Sequence, residues 1–374
     1  MNSSFGKNLK VNIWGGSHEP EIGVDIRGFP IGTVIDLGLL RSFMKRRAPG
    51  SSPFATKRKE DDEPIPVSGL SPGEGGDTET LITTDTDISF KIINTDRRSS
   101  DYSRLRAVPR PGHADYTARL RYGDSLNMAG GGPFSARMTA PLCIAGGIAL
   151  QILAREGILI AGHILSIADV RDDAFSPVDP DPELLKRLSR ESMPVISSAA
   201  RSAMERRISI AMDSRDSLGG IIEICALGLP GGIGGAMYAG VESVLAPVFF
   251  GIPAVKGVEF GSGFSAAGLA GSVNNDAFYY DDDGNVKTKT NHHGGILGGI
   301  TTGMPLIARV AFKPTPSIGL EQDSVDLNKK TNTKLTIAGR HDPCVAVRAV
   351  PIVEAAAALG LLDCIYDGGR KQND

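Results

Sequence analysis

The stretch TAPLCIAGGIALQILA, residues 139–154, carries no charged side chain and places apolar residues at Leu142, Ile148, Ile152 and Leu153. That spacing predicts a buried helix, with Gly157 supplying its C-terminal stop. Gly146 and Gly147 are unfavourable in an ordinary helix interior, so they predict a second helix packed closely against this one. A long final helix is expected over 346–366, interrupted at Pro351. Three shorter helices follow from their end signals. One is capped by Asp36, runs to about Lys45 and stops before Pro49; another opens with Asp181 and Pro182 and continues through Leu188; a third covers 238–250. Strands are expected at 11–14, 23–26, 221–229, 255–260 and 306–312, with Asp283-Gly284 turning a hairpin. Helices and strands do not alternate as βαβ units and no long linker divides the chain. The expectation is one continuous α+β domain over 1–374.

Composition narrows the function classes. The 374 residues include 40 basic and 43 acidic side chains, so no global field favours nucleic acid or a membrane surface. The N-terminal residues lack the apolar core of a secretory signal. No apolar stretch in the sequence is read as reaching the roughly 20 residues that span a bilayer. Cys143, Cys225, Cys344 and Cys364 show neither CxxC pairing nor zinc-ligand spacing, which suits reduced thiols in a cytoplasmic protein and predicts no metal. Glycine, at 46 residues, exceeds the usual share of roughly 7% and implies many tight turns and close backbone approaches.

Some familiar signatures fail on inspection. Gly261-Ser262-Gly263-Phe264-Ser265-Ala266 imitates a dinucleotide fingerprint, but Gly268 and Gly271 make a poor following helix. Asp281-Asp282-Asp283-Gly284 lacks the first and last ligands of a calcium loop and reads as a turn. Neither a GxxxxGK[ST] phosphate loop nor a GxSxG elbow occurs. The run Lys57-Arg58-Lys59-Glu60-Asp61-Asp62-Glu63 reads most simply as a solvated charged segment, and His163, inside the apolar run 158–167, as a structural histidine.

Other histidines and arginines are harder to explain as packing. His18 follows Gly15-Gly16-Ser17, so its backbone can approach a ligand while its ring exchanges a proton near neutral pH. Arg110-Pro111-Gly112-His113 places a guanidinium and an imidazole on one stiffened loop, suited to an anionic ligand that needs a proton. Arg340 and Asp342 join a fixed cation to a carboxylate able to act as a base. Gly130-Gly131-Gly132 precedes Ser135 and Arg137 beside the predicted helix start, where bare backbone can host an anion. Asn291-His292-His293-Gly294-Gly295, reaching Gly298, and then Lys313-Pro314-Thr315-Pro316-Ser317 could accept a flat ring and its phosphate tail.

These segments occur in the order of FGESHG, NTDxRSxDY, RPGHAD, GGGRSSARET, NHxGGILGG, KPTxS and GRHDPCVxxRAVP, and the chain resembles the chorismate synthase family over nearly its whole length. RPGHAD, NHHGGILGG and GRHDPCVAVRAVP together are highly specific. The resemblance implies a lyase that converts 5-enolpyruvylshikimate 3-phosphate to chorismate and phosphate by anti-1,4-elimination, in the shikimate pathway, with reduced FMN from an external source. It also implies a β-α-β sandwich of antiparallel sheets around helices, in a homotetramer. Carried over by motif, His18 would assist the departing phosphate, His113 would act at reduced flavin near N1, and Asp342 would tune N5, with Ser17 and Ser135 as proton relays. Arg47, Arg110, Arg137 and Arg340 would hold substrate anions. Ser135, Ala254, Gly298, Lys313, Pro314, Thr315, Pro316, Ser317 and Arg340 would hold FMN. The chain departs from the pattern where Pro133 and Pro53 replace arginines and Met138 replaces a glutamate; Lys45, Lys57 and Arg58 are candidate substitutes for the lost cations. Two other readings use the same groups: a divergent relative acting on another phosphorylated cyclic acid, and a non-catalytic flavin- or anion-binding oligomer.

Overall fold

The computed structural model describes residues 2–48, 50, 54, 62–95, 104–337 and 342–367. The helix expected at 139–154 forms over Thr139–Arg155 and is buried along almost its whole length. It packs against Ala346–Asp367, and the prediction from Gly146 holds: a Cβ there would lie 2.2 Å from the Ala355 Cβ. Any larger residue would force the two helices apart. The final helix differs from expectation in running through Pro351 without a break. Pro351 lies in its second turn, so the proline removes a backbone hydrogen bond near the helix end. The deep burial of nearly every following residue outweighs that loss.

Two antiparallel sheets enclose this helical layer. The first orders its strands Asn2–Phe5, Lys10–Gly15, Glu21–Arg27, Ile88–Ile93 and Ile65–Ser68. The second orders Val170–Arg171, Leu159–Ile167, Gly220–Leu227, Leu306–Phe312 and Val255–Phe260. Thr139–Arg155 faces the first sheet and Ala346–Asp367 the second. The result is the β-α-β sandwich. Fully buried Val24 and Phe90 of one sheet connect through Ile144, Ile148 and Leu359 to Ile224 of the other in one apolar core.

Asp36 caps Leu37–Arg47 by accepting from the Leu39 N–H, and Asp181 caps Pro182–Leu188 in the same way. The helix expected from 238 begins instead at Val241, because Met237–Ala239 forms a separate tight turn with Met237 at φ 53°. The strand expected to reach 229 ends at Leu227, where Gly228 at φ 86° redirects the chain. Ser198–Asp213 is a helix that the sequence reading missed, since only Met204, Ile208 and Ala211 are buried along its polar length. The expectation that nothing is long and apolar enough to span a bilayer also needs correction. Residues 136–155 and 346–367 are long and apolar enough by length and composition, but most of each is buried inside the protein. Their apolarity builds a core.

His163 is structural, as expected. It is wholly buried between Asp172 and Glu223, 3.1 Å from each, with Phe175 edge-on to its ring. Burial disfavours its cation, but the two carboxylates overcome that and raise its pKa.

Candidate active site

A cavity of about 880 Å3 opens beside the N-terminal ends of both central helices. The sharp turn at Gly112 (φ 73°) folds the 110–113 loop onto residues 313–317. Arg110 Nη1 donates to Ser317 Oγ at 3.1 Å, and Lys313 Nζ donates to the Gly112 carbonyl at 2.9 Å. Two sequence segments about two hundred residues apart thereby share one wall. Burial, with Lys256 nearby, pushes the Lys313 ammonium below its ordinary pKa.

Asp115 organises this wall from behind. It accepts from Arg110 Nε and Nη2, both at 2.7 Å, and lies 2.7 Å from His113 Nδ1. Burial opposes ionisation of Asp115, yet hydrogen bonds from Arg110 and His113 hold its carboxyl well below the usual carboxylate range. Arg110 Nη2 also lies 3.1 Å from His113 Nδ1. The shorter contact turns Nδ1 towards Asp115 and leaves Nε2 facing Gly131.

The three glycines at 130–132 bring the two candidate histidines together. All have positive φ, and a Cβ on Gly130 would lie 2.1 Å from His18 Cε1, while one on Gly131 would lie 3.2 Å from His113 Nε2. His18 therefore stands directly behind Gly130, which lines the cavity, rather than on the wall itself. Their missing side chains also let two imidazoles approach one backbone turn. Ser17 anchors that turn by donating its N–H to the Gly132 carbonyl at 3.2 Å. Asn94 ties the neighbouring His18 turn to Arg137, donating to the Glu19 carbonyl at 2.8 Å while accepting from Arg137 Nε at 2.9 Å.

Arg47, Arg110 and Arg137 all reach the cavity wall. The helix Leu37–Arg47 divides its last two arginines between tasks. Arg46 is buried against Glu354 at 2.5 Å, whereas Arg47 faces the cavity and donates to Thr139 Oγ1 at 3.3 Å. Arg47 and Arg137 both pair with Asp62. Here the solvated reading of the charged run fails at Asp62, whose side chain is completely buried because two guanidiniums supply the counter-charge that water otherwise would. Arg348 adds another wall cation, donating to Asp342 Oδ2 at 3.1 Å and to the Arg47 carbonyl at 3.1 Å.

Ser135, Ala254, Lys313, Thr315, Pro316, Ser317 and Asp342 line the same cavity. Pro314 packs towards Gly219, and Gly298 sits in the turn between Ile296–Leu297 and Ile300–Thr301, so neither is on this wall. The histidines of the 291–299 segment are also elsewhere, gathered on Asp276. Arg340, Pro53, Lys57 and Arg58 lie outside the described residues; Lys45 is exposed and not on the wall. Pro133 and Met138 do line it. Sequence reasoning overlooked Asp62, Asn94, Lys256 and Arg348. Arg348 was legible in GRHDPCVAVRAVP and Asn94 opens the NTDxRSxDY match, while Asp62 and Lys256 carry no local signal.

Residues 9–366 match the family model described as chorismate synthase. A chorismate synthase of Lancefieldella parvula is 45% identical over 100% of this chain and 98% of its own length. The chain belongs to the chorismate synthase family. A chorismate synthase of Methanothermobacter thermautotrophicus is 39% identical over 98% of the chain and 95% of that protein. A crystal structure of a chorismate synthase superposes with a TM-score of 0.74 at 23% identity, covering 97% of this chain and 93% of the other, so the family fold is present.

Proposed function

We propose that the protein is a carbon–oxygen lyase that converts 5-enolpyruvylshikimate 3-phosphate to chorismate and phosphate by anti-1,4-elimination with reduced FMN. The observation that carries this reading is the convergence of Arg47, Arg110, Arg137 and Arg348 with His113 and Asp342 on one cavity. A substrate with two carboxylates and a phosphate loses much hydration on entry, and fixed guanidinium donors offset that loss. The wall residues also fit a flavin phosphate and ring: Lys313, Thr315 and Ser317 offer cationic and hydroxyl donors, and the glycine turn leaves open backbone beside His113. Reduced FMN supplies electron density to the allylic system when bound. The chain's own groups orient the anions and manage protons. His18, with Ser17, serves as the acid for the departing phosphate. His113, oriented by Asp115, holds a proton at Nε2 for the flavin side, and Asp342, paired with Arg348, serves as the base, with Ser135 as a relay. Arg340 remains a proposed substrate and flavin ligand, as do Gly298 and Pro314 for flavin.

The continuous core supports a single domain over 1–374. The homotetramer rests on the family resemblance, and exposed Met237, Tyr238, Phe264 and Tyr280 are candidates for burial between copies. Four free, buried thiols support a cytoplasmic location, and reduced flavin is proposed to come from an external donor. Anaerobic incubation with dithionite-reduced FMN and the phosphorylated substrate tests the proposal. Equimolar chorismate and phosphate are expected; no product despite bound reduced FMN refutes it. Phosphate without chorismate points to altered chemistry at the site, where Pro133 and Met138 stand on the wall in place of the family's arginine and glutamate.

A further inference from the structure

Asp62 stands behind the anion site. Its two carboxylate oxygens are divided, Oδ2 accepting from Arg47 Nη1 and Oδ1 from Arg137 Nη1. Both guanidiniums line the cavity, whereas Asp62 does not. A third guanidinium, Arg348, is tied to the Arg47 carbonyl and thus to the same helix end. Cations held this close repel one another and have lost much of their hydration. Burial pulls the Arg47 guanidinium down to about 10, Asp62 opposes that pull, and Arg348 and Arg137 add to it. The backbone at Asp62 has φ 52°, a left-handed conformation that Asp adopts more readily than most non-glycine residues.

We propose that Asp62 is a built-in counter-anion that holds Arg47 and Arg137 together before a ligand enters and weakens their grip on the incoming phosphate or carboxylate. This inference rests on the reading that the cavity takes a phosphorylated acid. Bare guanidiniums would retain the phosphate product; a permanent carboxylate behind them lets it leave. Asp62 is a positioning residue, acting on the substrate through the two arginines.

The test titrates inorganic phosphate calorimetrically, at fixed ionic strength, into the full-length protein and its Asp62→Asn and Asp62→Gly variants. Asparagine keeps the side-chain shape and glycine suits the left-handed backbone, so each removes the charge with a different effect on folding. Phosphate Kd is expected to fall roughly three- to fiftyfold in both variants, the span between solvent-like and protein-like screening of one unit charge roughly 7 Å away. An unchanged or raised Kd in a folded variant overturns the proposal, since a purely structural role lowers thermal stability without tightening phosphate. Failure of both variants to fold also overturns it, by making the carboxylate a determinant of the fold rather than of binding. Wild-type protein that binds phosphate yet forms no chorismate counts against the lyase reading alone; wild-type protein that binds no phosphate counts against this proposal.

Discussion

Replacing Gly130 with alanine should silence the enzyme while leaving it folded. Gly130 has φ 63° and ψ 15°, and exposed Gly75 has nearly the same backbone at φ 68° and ψ 10°. An alanine in this left-handed region costs roughly 1–2 kcal/mol at either position. The surroundings then separate them. Nothing lies within 4 Å of a Cβ on Gly75, whereas a Cβ on Gly130 would lie 2.1 Å from His18 Cε1 and 2.8 Å from Ser17 Oγ. Since carbon atoms rest roughly 3.5–4.0 Å apart, the His18 ring must retreat by about 1.5 Å. Overpacking of this kind adds roughly 1–3 kcal/mol of destabilisation. A displacement of about 1 Å in a reacting group can cost roughly a hundredfold in rate, so Gly130→Ala should lose at least that much kcat. Gly75→Ala should keep wild-type kcat and lose only the shared backbone term. Anaerobic chorismate formation with reduced FMN gives the rates, and urea denaturation followed by circular dichroism gives the stabilities. Wild-type turnover by Gly130→Ala would show that His18 has no role that depends on its position.

Asp115→Asn replaces a carboxylate that accepts from Arg110 at 2.7 Å through both oxygens, so one amide N–H must face a guanidinium N–H. Breaking a buried pair by removing one partner costs about 3–5 kcal/mol, and a urea midpoint equal to wild type would contradict the assignment. The His163 network should produce a pH-dependent stability with two limbs. The pKa of His163 is raised, so its contribution is complete below its unfolded value of about 6.5 and is lost as pH climbs through the folded value. Asp172 and Glu223 are lowered, so theirs is present above roughly pH 4 and is lost as pH falls further. Thermal melts from pH 4 to 9 should show His163→Gln losing the alkaline limb; an unchanged limb would place its origin elsewhere.

Local chemistry was legible in the linear chain wherever one residue governs its own neighbourhood. The caps at Asp36 and Asp181, the apolar period of 139–154, the strands at 255–260 and 306–312, and the hairpin at Asp283-Gly284 depend on contacts a few residues apart. Gly146 also announced a close helix, because little else explains glycine there. Arg110, His113, Arg137 and Asp342 were identifiable from motifs that join charged or titratable side chains to small or rigid residues.

What the chain order could not reveal is which groups neutralise which. Asp62 looked solvated because its sequence neighbours are charged, and only folding places it between Arg47 and Arg137. Asn94 likewise gains its meaning by joining the His18 turn to Arg137 across the first sheet. By itself, the sequence determined the central helices, several strands, the family and most of the candidate site residues, because short-range propensity and motif spacing reside in consecutive residues. Tertiary structure alone decided the burial of Asp62, the setting of His18 behind Gly130 and the absence of Gly298 and Pro314 from this wall, because charge pairing and desolvation depend on distance in space.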